Sequence, residues 1–497
     1  MPTVGNKHKG ARRVFYQKFD GGLNLSASPE TISMNELRDA LNVEISNTTG
    51  KLKVRGGLHF REQLAIASCD SVDEIIPIEG SEDFLIYTAK HELFYYKNGI
   101  FYSTSLGSFS PSVKNIKAVM WDDVVLLAYG YSIEKIFKSG DRYDCVSVPG
   151  SPANCRFIFV HNGRVGVVDG DSTIRFSAVG DYTSWENDPD DDSSGQWVNI
   201  GYKDGMTITA IAKLSKDVVI FKAPSEAIGE GTIWRLVGTF PDWQVVEAVH
   251  DSSTYSYKTI QLVGNDIFYI TESGLATLST VMEYGDIKMK WVDRKVAQAI
   301  TELITSNSQL WHIPSKSQLW LMPSEEDEKV WVFDYAHSAW TYFEFPELPK
   351  YVLDREKAIF VFIGNCIYEL YDNYYQDEMV HIGAQTINAH IRLKLLSVPY
   401  QILVKAAFAS YSTIQSCRAG LYLGKFTMPL KYLGANNFIY DDTDIAYEDT
   451  DFLWDEDADL STARRRCIVR GWRISPEIKI SGGGFELSSV GFEIVEV

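Results

Sequence analysis

The sequence predicts a mainly β protein, with a β-propeller of about six blades between an N-terminal clasp and a C-terminal β-sandwich-like domain. Aromatic residues make up 13% of the chain, with 27 Tyr, 25 Phe and 12 Trp. Short runs rich in these and in β-branched residues alternate with Gly, Asn and Asp, as strands and turns do. Groups of three or four such runs recur every ~40 to 60 residues, which is typical of propeller blades. The expected boundaries are 1–62, 63–375 and 376–497.

The hairpin pattern is clearest in the central region. Residues 84–88, 92–96 and 99–102 read as three short strands, the last two joined at Lys97-Asn98-Gly99. Asn-Gly between apolar runs is a strong hairpin signal. The pattern returns at 124–129, 133–137, 156–161, 164–168, 173–177, 218–222, 232–237, 267–270, 275–278, 309–313, 318–321, 330–334, 340–343, 358–363 and 366–371. A long sandwich or an irregular β-barrel is the alternative architecture.

Two helices are expected against this background. The first covers residues 35–41. The second begins at Asp293, and its apolar residues Val296, Ile300, Leu303 and Ile304 recur at helical spacing. This apolar stripe is most simply a packing face.

An acidic segment interrupts the C-terminal domain, whose other stretches alternate apolar and polar residues as in a sandwich with one solvated face. Residues 441–459 hold ten carboxylates and no basic residue, so we expect a solvated projection. The carboxylates belong to Asp441, Asp442, Asp444, Glu448, Asp449, Asp451, Asp455, Glu456, Asp457 and Asp459.

Charge and composition exclude several classes of protein. The 497-residue chain has a formal charge of -19 and a pI near 5.0, so it cannot bind nucleic acid through a general positive field. No apolar run approaches the ~20 residues that span a bilayer, so no membrane insertion is expected. Six cysteines lie far apart without Cys-x-x-Cys, which indicates neither a zinc site nor a disulfide framework. The N-terminus lacks the apolar stretch of a secretory signal, which favours a cytoplasmic location.

No catalytic, cofactor-binding or metal-binding residues are predicted. The glycine spacings fit neither phosphate-binding motif, and Gly-x-Ser-x-Gly and His-Glu-x-x-His are absent. His312 and His337 read as strand or turn residues. Two acidic loops leave open alternatives, namely a propeller hydrolase using Asp181, Glu186 or Glu325, and a calcium loop at 188–194.

Two basic clusters are candidate docking sites. The N-terminal cluster, predicted to strap onto a partner, consists of Lys7, Lys9, Arg12 and Arg13. The second cluster is Arg464, Arg465 and Arg466, which suits a protein or phosphate contact, such as a neighbour's acidic projection. The plainer interpretations are a terminal tail and an exposed loop.

Two stretches carry a resemblance to a known family. The first comprises Phe19-Asp20-Gly21-Gly22-Leu23-Asn24, Ser28-Pro29-Glu30, residues 35–43 and residues 50–58. The second comprises Arg175-Phe176-Ser177, residues 180–185, 205–211 and 218–222. Together they resemble the tail nozzle proteins of short-tailed bacteriophages, also called packaged-DNA stabilisation or tail tubular B-type proteins.

The resemblance implies a structural protein of the virion tail, assembled in the bacterial host cytoplasm. It would form a homo-hexameric ring below the head-to-tail adaptor, close the DNA exit channel and conduct DNA during ejection. Implied partners are the adaptor, tail fibres or tailspikes, a tail plug or needle, and passing double-stranded DNA without specific binding. An acidic ring agrees with this role, because it repels phosphates and lets DNA slide. The resemblance also implies that the acidic segment 441–459 lies at the channel or tip, with an outward projection as an equal alternative. The alternatives are a receptor- or glycan-binding tail propeller and, less favoured, a polysaccharide hydrolase.

Overall fold

The N-terminal segment forms six strands that are distributed over the whole molecule. The computed structural model describes residues 12–496 except 48, 65–71, 98–99, 107–115, 215, 225–229, 255, 281–286, 293, 325–326, 356–357, 414–416 and 431–460. The first strands are β1 (Arg12–Gln17), β2 (Gly22–Leu23), β3 (Glu36–Leu41), β4 (Val43–Ile45), β5 (Leu52–Val54) and β6 (Gly57–Gln63). They pair with strands from distant parts of the chain, so the described part of 1–62 does not stand apart as a unit.

Seven blades of four antiparallel strands form the propeller, and the first two blades belong to one eight-stranded sheet. Blades 1 and 2 contain β7 (Val72–Glu79), β8 (Phe84–Thr88), β9 (Leu93–Lys97), β10 (Ile100–Ser103), and β11 (Lys117–Trp121), β12 (Val124–Ala128), β13 (Glu134–Ser139), β14 (Arg142–Ser147). Blades 3 and 4 contain β15 (Cys155–His161), β16 (Arg164–Asp169), β17 (Thr173–Phe176), β18 (Gln196–Asn199), and β19 (Thr207–Leu214), β20 (Asp217–Ala223), β21 (Thr232–Val237), β22 (Gln244–His250).

Blades 5 and 6 also consist of four consecutive strands, whereas blade 7 takes one strand from elsewhere in the chain. Blades 5 and 6 contain β23 (Ile260–Val263), β24 (Asp266–Thr271), β25 (Gly274–Thr280), β26 (Ile287–Trp291), and β27 (Gln309–Ile313), β28 (Gln318–Met322), β29 (Lys329–Asp334), β30 (Ala339–Glu344). Blade 7 contains β31 (Tyr351–Arg355), β32 (Ala358–Ile363) and β33 (Cys366–Tyr371), and its outer strand is β6 from the N-terminal segment.

Apolar clusters between successive blades close the ring. One cluster joins each blade to the next, and Phe360 and Phe362 of blade 7 pack with Ile75 and Ile86 of blade 1. The other clusters join blades 1 and 2, 2 and 3, 3 and 4, 4 and 5, 5 and 6, and 6 and 7. The predicted propeller is confirmed, with seven blades where the sequence indicates about six. The difference arises because the seventh blade takes its outer strand from a distant part of the chain.

A two-sheet domain follows the propeller. Its strands are β34 (Gln376–Met379), β35 (Gly383–Thr386), β36 (Asn388–Leu393), β37 (Leu396–Thr413), β38 (Arg418–Leu423), β39 (Phe426–Leu430), β40 (Ser461–Ile474), β41 (Pro476–Ser481) and β42 (Phe485–Glu496). One sheet has the order β4-β5-β42-β37-β40, with β1 also paired to β42. The other, β3-β36-β41-β38-β39, continues from the outer strand β30 of blade 6. The predicted C-terminal sandwich is thus joined to the propeller by one continuous ten-stranded sheet.

Helices contribute little to the described fold. They are α1 (Ala297–Thr301) and two 3-10 turns, η1 (Tyr257–Thr259) and η2 (Pro314–Lys316). Val296 and Ile300 are buried as the apolar stripe predicts, although the helix is short and Asp293 lies outside the described residues. Among the described residues, no helix has the length and apolar character needed to cross a bilayer.

The predicted helix at 35–41 is wrong, because these residues form β3. β3 pairs with β36, and its register shifts between Leu37 and Asp39. A bulge of this kind moves residues 37 and 40 to the same face of the sheet, where Leu37 and Ala40 are both buried. The bulge therefore reproduces the three-residue spacing of a helix face in an extended strand.

Candidate functional site

A buried arginine from the N-terminal stretch joins the propeller to the segment that follows it. Arg55 donates two hydrogen bonds to the Asp377 carboxylate, at 3.0 and 2.6 Å, and one to the Glu344 carbonyl at 2.8 Å. Its guanidinium lies 4.3 Å from the Phe345 ring centroid. Asp377 also accepts a hydrogen bond from the Leu58 amide. Bidentate pairing of this kind fixes orientation as well as charge, so Arg55 is a structural anchor.

Two glycines of the same stretch are required by close packing. Gly22 has φ of 60°, and a Cβ there would lie 2.7 Å from the Trp340 amide nitrogen. A Cβ at Gly57 would lie 2.2 Å from the Gln376 carbonyl oxygen. No larger residue fits either position without backbone movement. These residues of the resemblance therefore serve packing between parts of the molecule.

A buried ionic cluster lies at the same junction. Glu44, on β4, contacts the ammonium groups of Lys316 at 2.9 Å and Lys53 at 3.0 Å, and both lysines also pair with Asp372. Burial opposes ionisation of Glu44, but the two lysines hold its pKa below the usual range. The carboxylate therefore stays charged and links the sandwich to blades 6 and 7.

The N-terminal docking residues divide into two groups. Arg12 and Arg13 lie on β1, and the Arg13 guanidinium is 5.7 Å from the Phe408 ring centroid. Phe15 on the same strand is 45% exposed. Lys7 and Lys9 lie outside the described residues. The structure thus places one half of this cluster on the sandwich, and a docking role for the cluster stays a prediction.

The second basic cluster lies on β40 at the edge of the sandwich. Arg464, Arg465 and Arg466 pair through the backbone with residues 406–408 of β37. Arg465 is exposed, and its guanidinium donates a hydrogen bond to the Thr427 carbonyl at 3.0 Å. The cluster is therefore part of a strand, not the exposed loop of the plainer interpretation.

All ten carboxylates of the acidic segment 441–459 lie outside the described residues. Their flanks are described: Leu430 ends β39 and Ser461 begins β40. β39 is the last strand of the ten-stranded sheet, whose other end is blade 6. The described strands on either side of the acidic segment are therefore β39 and β40, each the last strand in the order of its sheet.

The acidic loop of blade 3 is held by its own hydrogen bonds. Arg164, which is buried, donates to the carbonyls of Ser177, Asp192 and Ser194 beneath the loop. Hydrogen bonds from Thr183 lower the pKa of Asp181, and those from Ser193 lower the pKa of Asp191. A general acid needs a raised pKa, so these two carboxylates suit turns better than glycoside hydrolysis.

The two histidines named in the sequence analysis have local partners in the structure. His312 lies 3.3 Å from the Tyr335 hydroxyl, and burial lowers its pKa; His337 pairs with Asp334 at 3.2 Å. In the part of the chain that the structure describes, no group of three His, Cys, Asp or Glu could hold a metal ion. Of the other two candidate hydrolase carboxylates, Glu325 lies outside the described residues and Glu186 is exposed.

A short turn between blades 4 and 5 occupies the propeller axis. The Tyr257 hydroxyl donates a hydrogen bond to Glu74 on the innermost strand of blade 1, and Lys258 pairs with Glu74 at 3.1 Å. The Tyr257 ring lies 5.9 Å from that of Phe157 in blade 3, and the turn also contacts the innermost strands of blades 4 and 6. Burial raises the pKa of Glu74 against the opposing effects of Lys258 and Tyr257. Sequence patterns did not predict the position of this turn, because it depends on contacts between distant blades.

A groove of about 780 Å³ lies along the part of the ten-stranded sheet that belongs to the sandwich. It is formed by β36, β41, β38 and β39. Its lining includes the polar side chains His390, Arg418, Tyr422 and Lys479, beside Gly420 and Leu430. A Cβ at Gly420 would lie 3.2 Å from the Tyr422 ring, so the glycine leaves room for that ring over the sheet. None of the described residues that line this groove carries a carboxylate.

Comparisons with known proteins identify similar folds only. No family model and no curated protein matches the sequence. Similar solved structures include BamB from Moraxella catarrhalis, with 8% identity, TM-score 0.40, and coverage of 72% of this chain and 98% of that one. The WD40 propeller domain of Doa1 has 11% identity and TM-score 0.38, covering 64% and 97%. The extracellular domain of BT4673 from B. thetaiotaomicron has 10% identity and TM-score 0.44, covering 83% and 60%. The chain is a β-propeller protein with an attached β-sandwich, as its seven blades and two further sheets establish.

Proposed function

We propose that this protein is the structural subunit of a ring-shaped tail nozzle of a short-tailed bacteriophage. In this role, six copies close the DNA exit channel below the head-to-tail adaptor and conduct DNA during ejection. The observation that carries the proposal is the packing role of the N-terminal stretch. Its residues Gly22, Arg55 and Gly57 pack the propeller, the sandwich and the β34 segment against one another. Because these parts are packed together, each subunit is expected to be rigid, which suits a ring that bears load.

The blocked propeller axis bears on the path of DNA in this proposal. Tyr257 and Lys258 cross the axis and pair with Glu74 on the opposite side. A duplex therefore has no passage through a single subunit. DNA would instead travel through the lumen that the copies enclose, where the charge of -19 per chain opposes adhesion of phosphates.

Electron microscopy of the purified chain, with light-scattering mass measured over a range of concentrations, tests the proposal. We expect rings with a mass six times the 56.1 kDa of one chain, formed alone or on addition of the adaptor. Persistent monomers in the presence of the adaptor would overturn the nozzle function. A mass that stays at one value as the concentration rises separates a closed ring from nonspecific clustering, which grows with concentration.

A receptor- or glycan-binding tail propeller is the second candidate. One observation favours it: Trp197 on the outer strand of blade 3 is 57% exposed and nearby Tyr202 is 69% exposed. Exposed aromatic rings of this kind are used at interfaces because they present a large apolar body with a polar tip. The test is binding of host-surface polysaccharide by the monomer. Binding that is lost in W197A but kept in the control Y131A would favour this function over the nozzle.

A further inference from the structure

The sandwich groove carries positive charge that the described residues leave unpaired. Arg418 and Lys479 are both exposed, and neither forms an ion pair with any residue that the structure describes. The Lys479 ammonium lies 5.2 Å from the Tyr422 ring centroid, which leaves its hydrogen-bond donors open. Gly420 lies between these side chains, opposite Lys479 in the sheet. The groove thus presents two cations and an aromatic ring on one surface.

The carboxylates nearest to the groove are already engaged. Asp39 pairs with His390 at 3.0 Å and accepts a hydrogen bond from Tyr342. Glu477 pairs with Arg392 at 3.2 Å. Asp39 and Glu477 are therefore already engaged by His390 and Arg392, and the described lining of the groove contains cations but no carboxylate.

We propose that this groove binds the acidic segment 441–459 of a second copy of the chain. The inference rests on the proposed ring and identifies one of its contacts. The segment offers ten carboxylates and no base, and its aromatic residues Tyr447, Phe452 and Trp454 can cover the apolar part of the groove. Charge and side-chain type are therefore complementary between the two surfaces.

Net charge and symmetry favour a second copy as the source of the segment. Each copy carries a formal charge of -19, so two copies repel one another unless opposite charges meet locally. A closed ring needs two different, complementary surfaces on every copy. Leu430 lines the groove, and residues 431–440 connect it to the start of the segment. Rotation about a ring axis keeps Leu430 and the groove at the same height in every copy, so the chain that leads to the segment leaves one copy level with the groove of the next.

Charge exchange between full-length variants tests the contact. R418E/K479E reverses the groove, and D441K/D444K/E448K reverses part of the segment. We expect each variant alone to assemble at a concentration at least about tenfold higher than the wild type, measured by light scattering. We expect an equal mixture of the two variants to recover assembly, because the reversed groove of one variant then meets the reversed part of the other variant's segment. Unchanged assembly of both variants would overturn the proposal.

A matched control separates a local contact from the change in net charge. K288E/K290E reverses two exposed lysines on β26 of blade 5, far along the chain from the groove. We expect this variant to assemble as the wild type does. A loss equal to that of R418E/K479E would show that net charge alone governs assembly, and would overturn the proposal.

Peptide binding distinguishes failure of this contact from failure of the ring. The probe is a labelled peptide of residues 438–460, and the receptor is the full chain with the ten segment carboxylates changed to amides. We expect fluorescence anisotropy to show binding that weakens at least about tenfold in R418E/K479E and falls with salt. Peptide binding without any ring would refute the nozzle function and support the contact between groove and segment. Rings without groove-dependent binding would refute the groove and keep the nozzle.

Discussion

At the scale of single residues, the strongest constraint is the buried pair of Arg55 and Asp377. Both side chains are almost fully buried, and the two shortest N–O distances are 2.6 and 3.0 Å. Removing one partner leaves an uncompensated buried charge, which costs far more than the pair itself is worth. The sequence shows Arg55 within a glycine-rich turn, but the partner lies 322 positions away, so only the folded structure identifies it.

The Arg55→Met variant should lose about 3 to 5 kcal/mol in the free energy of unfolding, because Asp377 is left buried and unpaired. Urea denaturation with tryptophan fluorescence measures the change. The matched control is R175M, which breaks the exposed pair with Asp169 and should cost less than about 1 kcal/mol. Equal losses in the two variants would contradict a special role for Arg55.

Glu74 supplies a prediction about pH. Burial raises its pKa, so its contribution to stability is present below the unfolded value and is lost as pH rises through the folded value. The groups facing it are Tyr257, Lys258, Asp73, Tyr87 and Tyr351. E74Q removes this titration. We expect the free energy of unfolding of E74Q, relative to wild type, to be more favourable at about pH 7 than at about pH 4.

Denaturant unfolding of both proteins at the two pH values measures this difference. A difference between E74Q and wild type that does not change with pH would contradict the account of Glu74. Y257F serves as the control for the lost hydrogen bond, because it removes the Tyr257 hydroxyl and keeps the Glu74 carboxylate.

At the scale of elements, the outer strand of blade 7 is the least expected feature. β6 comes from the N-terminal segment and pairs with β33 from Gly57 to Gln63. Its outward amides at Leu58 and Phe60 donate to the side chains of Asp377 and Glu378, at 3.1 and 3.2 Å. An edge strand covered in this way cannot pair with another chain.

Leu58→Ala should lower the free energy of unfolding by about 2 to 5 kcal/mol, because Leu58 is fully buried between blades 6 and 7. His59→Ala is the control on the same strand, since His59 faces the solvent and should cost less than about 1 kcal/mol. Chemical denaturation measures both. A loss for H59A as large as that for L58A would contradict the assignment of the two faces of β6.

At the scale of the whole molecule, the propeller and the sandwich share a core. One apolar cluster includes Ile270 and Leu319 from blades 5 and 6 together with Leu421 and Phe492 from the two sandwich sheets. The ten-stranded sheet also runs from blade 6 into the sandwich without a break. The two parts are therefore expected to unfold together.

Calorimetry should show one main transition for the full chain, as expected for parts that share a hydrophobic core. L127A, between blades 1 and 2, and L421A, in the sandwich, should each lower the temperature of that same transition, because both side chains are fully buried. Two transitions, with each variant lowering only one of them, would contradict the shared core.

The sequence by itself determined the local β-structure. Strands β8 (Phe84–Thr88) and β21 (Thr232–Val237) have the bounds that the pattern predicts, because alternation and Gly or Asn turns act between neighbouring residues. The basic residues of the candidate docking clusters were also visible, whereas the groove was not, because its lining comes from strands far apart in sequence.

Only the tertiary structure decided how the strands assemble. Residues 35–41 form a strand because β36 supplies a partner and a bulge sets its faces, and the helical spacing alone pointed the other way. The seventh blade exists because β6 reaches it from about 300 residues earlier in the chain. Pairing across such distances depends on tertiary contacts that no local pattern contains.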